Sequence, residues 1–202
     1  MTDSERISLR KKLRQQRRSL SAMQRQEKAH LVCQQIVTSS FFRRSRRVAL
    51  YLACDHELDP LALLSQALEM GKRVYLPVLS AHRPGKVSFA PFRAGDGLLP
   101  NRWDILEPDQ LISRLAQPLS LDLVFVPLVG FDADCNRMGM GKGYYDRTFA
   151  YRQRLGFQRP RLVGLAYENQ KVDRIPVSDW DVPLDAVITE SGIYQRSGCL
   201  LV

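Results

Sequence analysis

Long apolar runs are missing from this 202-residue sequence. The longest strongly apolar stretch, Leu123 to Phe131, is far shorter than the roughly 20 residues that a helix needs to cross a bilayer. The N-terminus is polar and charged and lacks the apolar segment of a secretory signal. We therefore expect a cytoplasmic protein that does not cross a membrane.

Metal-binding and disulfide patterns are missing as well. The four cysteines are scattered without a C-x-x-C pair, and the three histidines show no ligand spacing. In a chain without an export signal such cysteines are typical of reduced thiols, and nothing indicates a zinc site.

Acidic residues are scarce in the first part of the chain. Residues 1–47 contain 13 Lys and Arg but only Asp3, Glu5 and Glu27, so the net charge of +9 is an N-terminal property. Such a segment fits a nucleic acid, an anionic membrane, a small polyanionic substrate or simply a solvated helix face, and charge alone does not choose among them.

The periodicity predicts a single α/β domain over residues 1–202, led by basic helices within residues 4–38. The second helix is predicted to begin at a capping box formed by Ser21 and Gln24. A helix that starts at Asp59-Pro60 and ends before Gly71 separates two strands, which implies a parallel pair. The predicted strands are Arg47–Ala53, Arg73–Val78, Val87–Phe92, Leu121–Val129, Arg161–Ala166 and Ala186–Thr189.

This alternation favours a three-layer α/β/α sandwich around a mainly parallel sheet, with Leu121–Val129 as its central strand. Ligands of such sheets bind beyond the carboxyl ends of the strands. The stretch from Ser80 to Asn101 is predicted to border a pocket.

The segment after the central strand has the composition of a phosphate-binding loop. Gly139, Gly141 and Gly143 lack Cβ atoms, so their backbone N–H groups can approach an anion closely. Arg137 and Lys142 add positive charge, and Asp146 suits Mg²⁺. The pattern is neither a Walker loop nor G-x-G-x-x-G. The alternative is a tight connection between a strand and a helix.

The run G-F-D-x-x-x-N-R-x-G-x-G-K-G-Y-Y-D, residues 130–146, resembles the signature of the 5-formyltetrahydrofolate cyclo-ligase family. The similarity continues through most of the chain. It includes the basic start at Leu9 to Ser21, E-L-D-P at Glu57 to Pro60, Lys72 to Pro77, Trp103 to Pro108, and D-V-P-L-D-A-V-I-T at Asp181 to Thr189.

The resemblance implies conversion of 5-formyltetrahydrofolate and ATP to 5,10-methenyltetrahydrofolate, ADP and phosphate, with Mg²⁺. Carried over by position, Lys142, Tyr144 and Tyr145 are catalytic candidates. Asp146 and Asp185 are the expected metal ligands. The expected ATP-binding residues are Arg6, Arg10, Arg137, Gly139, Met140, Gly141, Lys142, Gly143, Tyr144 and Tyr145.

For the folate, Glu57 is expected to accept hydrogen bonds from the pterin, and Leu52 and Trp103 to form apolar walls. The residues from Gly141 to Tyr145 are expected to contact both substrates. The alternative to substrate binding is core packing for Trp103, and packing at the start of a helix for Tyr144 and Tyr145. Met138 and Met140 depart from the family pattern, and Met140 leaves open how many cations surround the γ-phosphate.

Two other classes of protein remain as alternatives. One is a nucleic-acid-binding protein that uses the arginine-rich helices, although aromatic residues are not interleaved with the basic ones. The other is a sugar-phosphate isomerase or acyl-CoA-type enzyme on a similar sheet. Our primary expectation is a monomer that binds folate and ATP, with no nucleic-acid or membrane partner.

Overall fold

A seven-stranded sheet organises the chain in the computed structural model, which describes residues 3–79, 84–109 and 114–199. The strands, including those of two small hairpins, are β1 Arg47–Ala49, β2 Arg73–Val78, β3 Ser88–Phe92, β4 Leu98–Pro100, β5 Leu106–Pro108, β6 Leu123–Pro127, β7 Gly130–Phe131, β8 Arg137–Met138, β9 Arg161–Leu165, β10 Ala186–Thr189 and β11 Gly192–Gln195. The α-helices are α1 Asp3–Arg18, α2 Ala22–Thr38, α3 Ser40–Arg44, α4 Leu61–Glu69, α5 Tyr144–Phe149 and α6 Tyr151–Leu155.

The strand order of the main sheet is β11-β10-β9-β6-β1-β2-β3. Neighbouring strands from β10 to β2 are parallel, and only the two edge strands, β3 and β11, pair antiparallel. The fourth position belongs to β6, which confirms the nearly continuous apolar segment as the central strand. The predicted parallel pairing of β1 with β2 across α4 is also confirmed.

Alternate residues of the strands pack into two separate cores, which makes the fold three-layered. Val48 and Phe125 point to the core that α2, α3 and α4 cover. Ala49 and Val124 point to the opposite core, which contains Phe149 of α5. No helix within the three described ranges is long and apolar enough to span a membrane.

Several predicted boundaries hold. The helix α2 begins at the predicted capping box, in which the Ser21 hydroxyl accepts from the Gln24 N–H at 3.1 Å. The strands β2 and β10 have the predicted bounds, and α4 ends before Gly71.

Other boundaries were wrong. The first strand stops at Ala49 because the chain then turns towards Asp55 and His56, which have left-handed φ angles of 47° and 60°. Pro60 is the N-cap of α4 rather than its first residue, and Asp59 accepts from the Leu61 N–H. The stretch from Ser80 contains the predicted third strand, β3, which begins one residue later than expected. It also contains β4 of the β4–β5 hairpin, which the apolar pattern did not reveal; residues 80–83 lie outside the described ranges.

Candidate active site

The glycine loop leaves the carboxyl end of β6 through the β7–β8 hairpin. The buried carboxylate of Asp132 holds this hairpin, because it accepts from the N–H groups of Asn136 and Ile175 at 3.0 and 2.8 Å. Gly141 and Gly143 then take left-handed φ angles of 95° and 63°, where a side chain would be strained. The loop is therefore built on a rigid base but has the backbone freedom of glycine.

A cavity of about 720 Å³ opens beside this loop. Six cationic side chains and three carboxylates line it, so its charge favours an anion. The charged residues are Arg6, Arg10, Arg137, Lys142, Arg147 and Arg154, with Asp146, Asp179 and Asp181. Ile175, Pro176 and the exposed Trp180 give the same cavity an apolar side.

Two of the cations come from α1, as the sequence predicted. Arg10 donates from Nε to the Gly139 carbonyl at 2.9 Å, and Arg6 donates to the Pro176 carbonyl at 2.9 Å. Partial burial and the nearby charge of Arg6 lower the pKa of Arg10. An anion in the cavity would relieve this crowding of positive charge.

Arg137 and Asp146 form an ion pair at the wall of the cavity, with 2.7 Å between Nη2 and Oδ1. The Val182 N–H also donates to Oδ1, at 3.1 Å. Both contacts use the same carboxylate oxygen, so Oδ2 is the atom that suits a cation. Within the described ranges, no three His, Cys, Asp or Glu side chains are grouped to hold a metal ion. One carboxylate together with substrate phosphates is, however, a common way to bind Mg²⁺.

The loop and the β4–β5 hairpin meet at Lys142. Its Nζ lies 5.3 Å from the centre of the Trp103 ring, a cation–π contact that joins two predicted site residues. The indole of Trp103 is about half exposed, so it is not a core residue. Next to it, Arg102 donates to the Tyr144 hydroxyl at 2.8 Å.

Tyr145 points in a different direction from Tyr144. It packs against Phe149 with 6.3 Å between ring centres. Burial, followed by the charge of Glu57, raises its pKa, so the hydroxyl stays protonated as a hydrogen-bond donor. The charge of Glu57, the carboxylate that we expected to bind the pterin, thus acts on the Tyr145 hydroxyl.

Glu57 is buried and polarised by its neighbours. Its carboxylate accepts from the Cys54 N–H at 3.2 Å and lies 3.9 Å from the guanidinium of Arg17. Burial raises the pKa of Glu57, and Arg17 and Cys54 oppose this effect. Glu57 lines a separate cavity of about 960 Å³ between α2 and the start of α4. Leu52 lies between β1 and this loop and packs, half-buried, against the core under α2.

Asp185 does not join Asp146 in the loop cavity. It precedes β10 at the amino-terminal edge of the sheet and lines another pocket. Both of its oxygens pair with Arg152, at 2.7 and 2.9 Å, and Oδ2 also accepts from the Leu162 N–H. The two expected metal ligands, Asp146 and Asp185, therefore do not lie together in this structure. Arg152 already neutralises the carboxylate of Asp185.

Sequence reasoning missed three features of this region. Arg17 is fully buried beside Glu57, and Asp55 accepts hydrogen bonds from three arginines of α1. Trp180 lines the cavity although it lies far from the loop in sequence. The regular spacing of arginines in α1 was a signal for the contacts of Arg17 and Asp55. Nothing in the sequence near Trp180 indicated its place in the cavity.

The fold, the cationic glycine loop and the buried carboxylate define an α/β enzyme of anionic substrates. A profile of the 5-formyltetrahydrofolate cyclo-ligase family matches residues 2–190. The 5-formyltetrahydrofolate cyclo-ligase of Escherichia coli K12 is 39% identical over 184 residues, covering 91% of this chain and 99% of that protein. The mouse enzyme of the same name is 29% identical, covering 93% and 95% of the two chains.

Two solved structures support the same family. The Aquifex aeolicus 5,10-methenyltetrahydrofolate synthetase superposes with a TM-score of 0.81 at 30% identity, covering 95% of this chain and 93% of that one. The Mycoplasma pneumoniae 5,10-methenyltetrahydrofolate synthetase gives 0.71 at 27% identity, covering 94% and 99%. The chain belongs to the 5-formyltetrahydrofolate cyclo-ligase family, as the resemblance indicated.

The three arginines around Asp55 make the stability of the fold depend on pH. Burial alone would raise the pKa of Asp55, but hydrogen bonds from Arg14 and Arg18 and the charge of Arg17 lower it from 3.8 to about 2. A carboxyl group with a lowered folded-state pKa stabilises the fold above its unfolded pKa and loses that contribution as pH falls through the folded value. We expect Asp55→Asn to have a lower free energy of unfolding at neutral pH and a smaller further loss between about pH 4 and 2.

Urea unfolding at a series of pH values measures this difference, with Asp173→Asn, at an exposed acid, as the control. Parallel curves for the parent and Asp55→Asn across that window would show that Asp55 titrates normally.

Proposed function

We propose that this chain uses ATP and Mg²⁺ to convert 5-formyltetrahydrofolate to 5,10-methenyltetrahydrofolate. The observation that carries the proposal is the convergence of cations from α1, β8 and the glycine loop on one cavity. Family membership gives the reaction class, and the cavity gives the place for a polyphosphate.

We assign the triphosphate to the glycine loop. Backbone N–H groups from Gly139 to Gly143 and the side chains of Arg6, Arg10 and Lys142 are its proposed contacts. Met140 adds no charge, but Arg147 and Arg154 line the same cavity and compensate for the departure from the family pattern. The apolar side formed by Ile175, Pro176 and Trp180 suits a nucleobase.

We assign Mg²⁺ to Oδ2 of Asp146, alongside the phosphates. When bound, the ion neutralises negative charge on the transferred phosphoryl group. Arg137 holds the carboxylate in place through Oδ1. Asp185, engaged by Arg152, has no part in this proposal.

The proposed reaction has two bond-forming steps. The formyl oxygen attacks the γ-phosphorus, and ADP leaves with the electrons of the broken P–O bond. N10 of the folate then attacks the formyl carbon and loses its proton, and phosphate departs with the former formyl oxygen. Both steps need alignment and charge neutralisation more than proton transfer by the protein. We assign neutralisation of the phosphoryl oxygens to Lys142, and a hydrogen bond to the formyl oxygen to the protonated Tyr145.

We assign the pterin to the cavity that Glu57 lines, and by the family resemblance we assign Tyr145, Leu52 and Trp103 as further folate contacts. Paired N–H donors on the pterin match the two oxygens of a buried carboxylate. The exposed face of Trp103 offers a stacking surface beside Lys142, where the substrates would meet. Tyr144, whose hydroxyl accepts a hydrogen bond from Arg102, follows the same loop at the start of α5.

The direct test is cyclisation by the purified protein with 5-formyltetrahydrofolate, ATP and Mg²⁺, followed by the absorbance of the methenyl product. We expect turnover only with both ATP and metal, because the phosphoryl transfer requires charge neutralisation. Equal product formation after chelation of the metal would overturn the role of Mg²⁺. Turnover without nucleotide would favour the isomerase or acyl-CoA alternative.

Lys142→Ala should impair the use of ATP more than that of folate. It removes a point charge at the phosphate side and leaves Glu57 untouched, so we expect the KM for ATP to rise about tenfold or more, a loss of roughly 1.4 kcal/mol. Lys12→Ala, at an exposed position of α1, is the control. An unchanged KM for ATP and an unchanged kcat would remove Lys142 from the phosphate site.

Glu57→Gln should weaken folate binding and spare nucleotide binding. Glutamine offers one acceptor and one misplaced donor to the pterin, which should cost about 2 kcal/mol, or roughly 30-fold in affinity. Fluorescence titration with each substrate separates the two affinities. A variant that binds folate as tightly as the parent, but unfolds at a lower temperature, would show that Glu57 has only a structural role.

A further inference from the structure

The arginines of α1 form one stripe along the helix. Arg6, Arg10, Arg14 and Arg17 follow one another at intervals of three or four residues, and Arg18 lies four residues after Arg14, so the five share one side of the helix. From Arg6 to Arg17 the stripe runs about 16 Å along the helix axis. Its two N-terminal members line the glycine-loop cavity, and its other members reach the loop that carries Glu57.

The three C-terminal arginines of this stripe all donate hydrogen bonds to one carboxylate, that of Asp55. Asp55 accepts from Arg14 and Arg17 at 2.8 Å through Oδ2, and from Arg18 at 2.7 Å through Oδ1. The side chain of Arg17 is completely buried, whereas that of Arg18 is about half exposed. A buried guanidinium strongly destabilises a fold when its counter-ion is removed. Loss of the contact between Arg17 and Asp55 is therefore expected to destabilise the fold more than loss of any other contact in the cluster.

The backbone at Asp55 needs an anchor. Asp55 and His56 both have left-handed φ angles, which strain the backbone of non-glycine residues. The turn puts Glu57 immediately after them, where its N–H donates to the Cys54 carbonyl at 2.9 Å. The ion pairs of Asp55 are the contacts from α1 that hold this turn.

The same helix also fixes the glycine loop. Arg10 donates to the Gly139 carbonyl, four residues before Arg14 reaches Asp55. Arg17, one turn further, faces Glu57 and also donates to the Leu128 carbonyl, just after β6. A shift of α1 along its axis would therefore displace the contacts at both ends together.

We propose that Asp55 is a positioning residue that sets the distance between the nucleotide and folate sites by holding α1 against the Glu57 loop. The inference rests on the proposed function for the identity of the two substrates. Asp55 lines the Glu57 cavity, but both of its carboxylate oxygens accept hydrogen bonds from arginines of α1. It acts through Arg10 on the loop that binds phosphate and through Arg17 on the carboxylate that binds the pterin.

The test is Asp55→Asn, with the KM for each substrate and kcat measured well below its unfolding temperature. We expect both KM values to rise about tenfold and kcat to fall at least as far, because both chemical steps need the two substrates aligned. Asp173→Asn, at an exposed acid, should leave both values unchanged. A variant that unfolds earlier but keeps both KM values, or in which only one rises, would overturn the proposal.

Arg14→Gln is the second variant, in case Asp55→Asn does not fold. It removes one ion pair from Asp55 but leaves Arg17 and Arg18 in place, so a smaller rise in both KM values, about two- to threefold, is expected. Unchanged constants in a folded Arg14→Gln would count against the proposal when Asp55→Asn cannot be assayed.

Direct titration with ATP alone separates this proposal from the proposed function. If the parent protein binds ATP but forms no methenyl product, the proposed function fails. Weaker ATP binding by Asp55→Asn would still support the positioning role, and equal ATP binding would contradict it.

Discussion

The ion pairs between Asp55 and the arginines of α1 connect parts of the molecule that are far apart in sequence. Through them a helix that lies outside the sheet becomes part of the site, since Arg10 contacts the glycine loop and Arg17 lies beside Glu57. Without this anchor α1 would have few apolar contacts to hold it. Leu13 is its one fully buried apolar side chain in the described structure. The ion pairs of Asp55 therefore act together with the packing of Leu13 on Val129 and Ile175 to place this helix.

The arrangement also explains the uneven charge of the chain. A basic N-terminal segment is often a binding face for nucleic acid, but such a face presents its cations to solvent. Here Arg17 is buried, Arg14 is partly buried and paired with Asp55, and Arg6 and Arg10 line a cavity. A solvated helix face was one interpretation of these arginines from the sequence, but most of them point towards the protein. This arrangement favours a small polyanionic ligand over double- or single-stranded nucleic acid.

The sequence predicted the layers and the central strand because buried parallel strands have a strong apolar signal, as in Leu123–Pro127. It did not predict the β4–β5 hairpin or the edge strand β11, where short half-exposed strands carry little pattern. Glu57 and Trp103 were nominated by resemblance, and their burial and contacts required the structure. The role of metal ligand was carried over to Asp185 from the family motif alone. The motif could not show its ion pair with Arg152, which lies 33 residues away.

We propose that the cavity beside the glycine loop holds the triphosphate, with α1 as one of its walls. An NMR titration of the ¹⁵N-labelled protein with a non-hydrolysable ATP analogue and Mg²⁺ tests it most directly. We expect the largest amide shifts on residues 137–147, with a second group in α1 around Arg6 and Arg10. Shifts concentrated instead around Arg152 and Asp185, at the amino-terminal edge of the sheet, would contradict it.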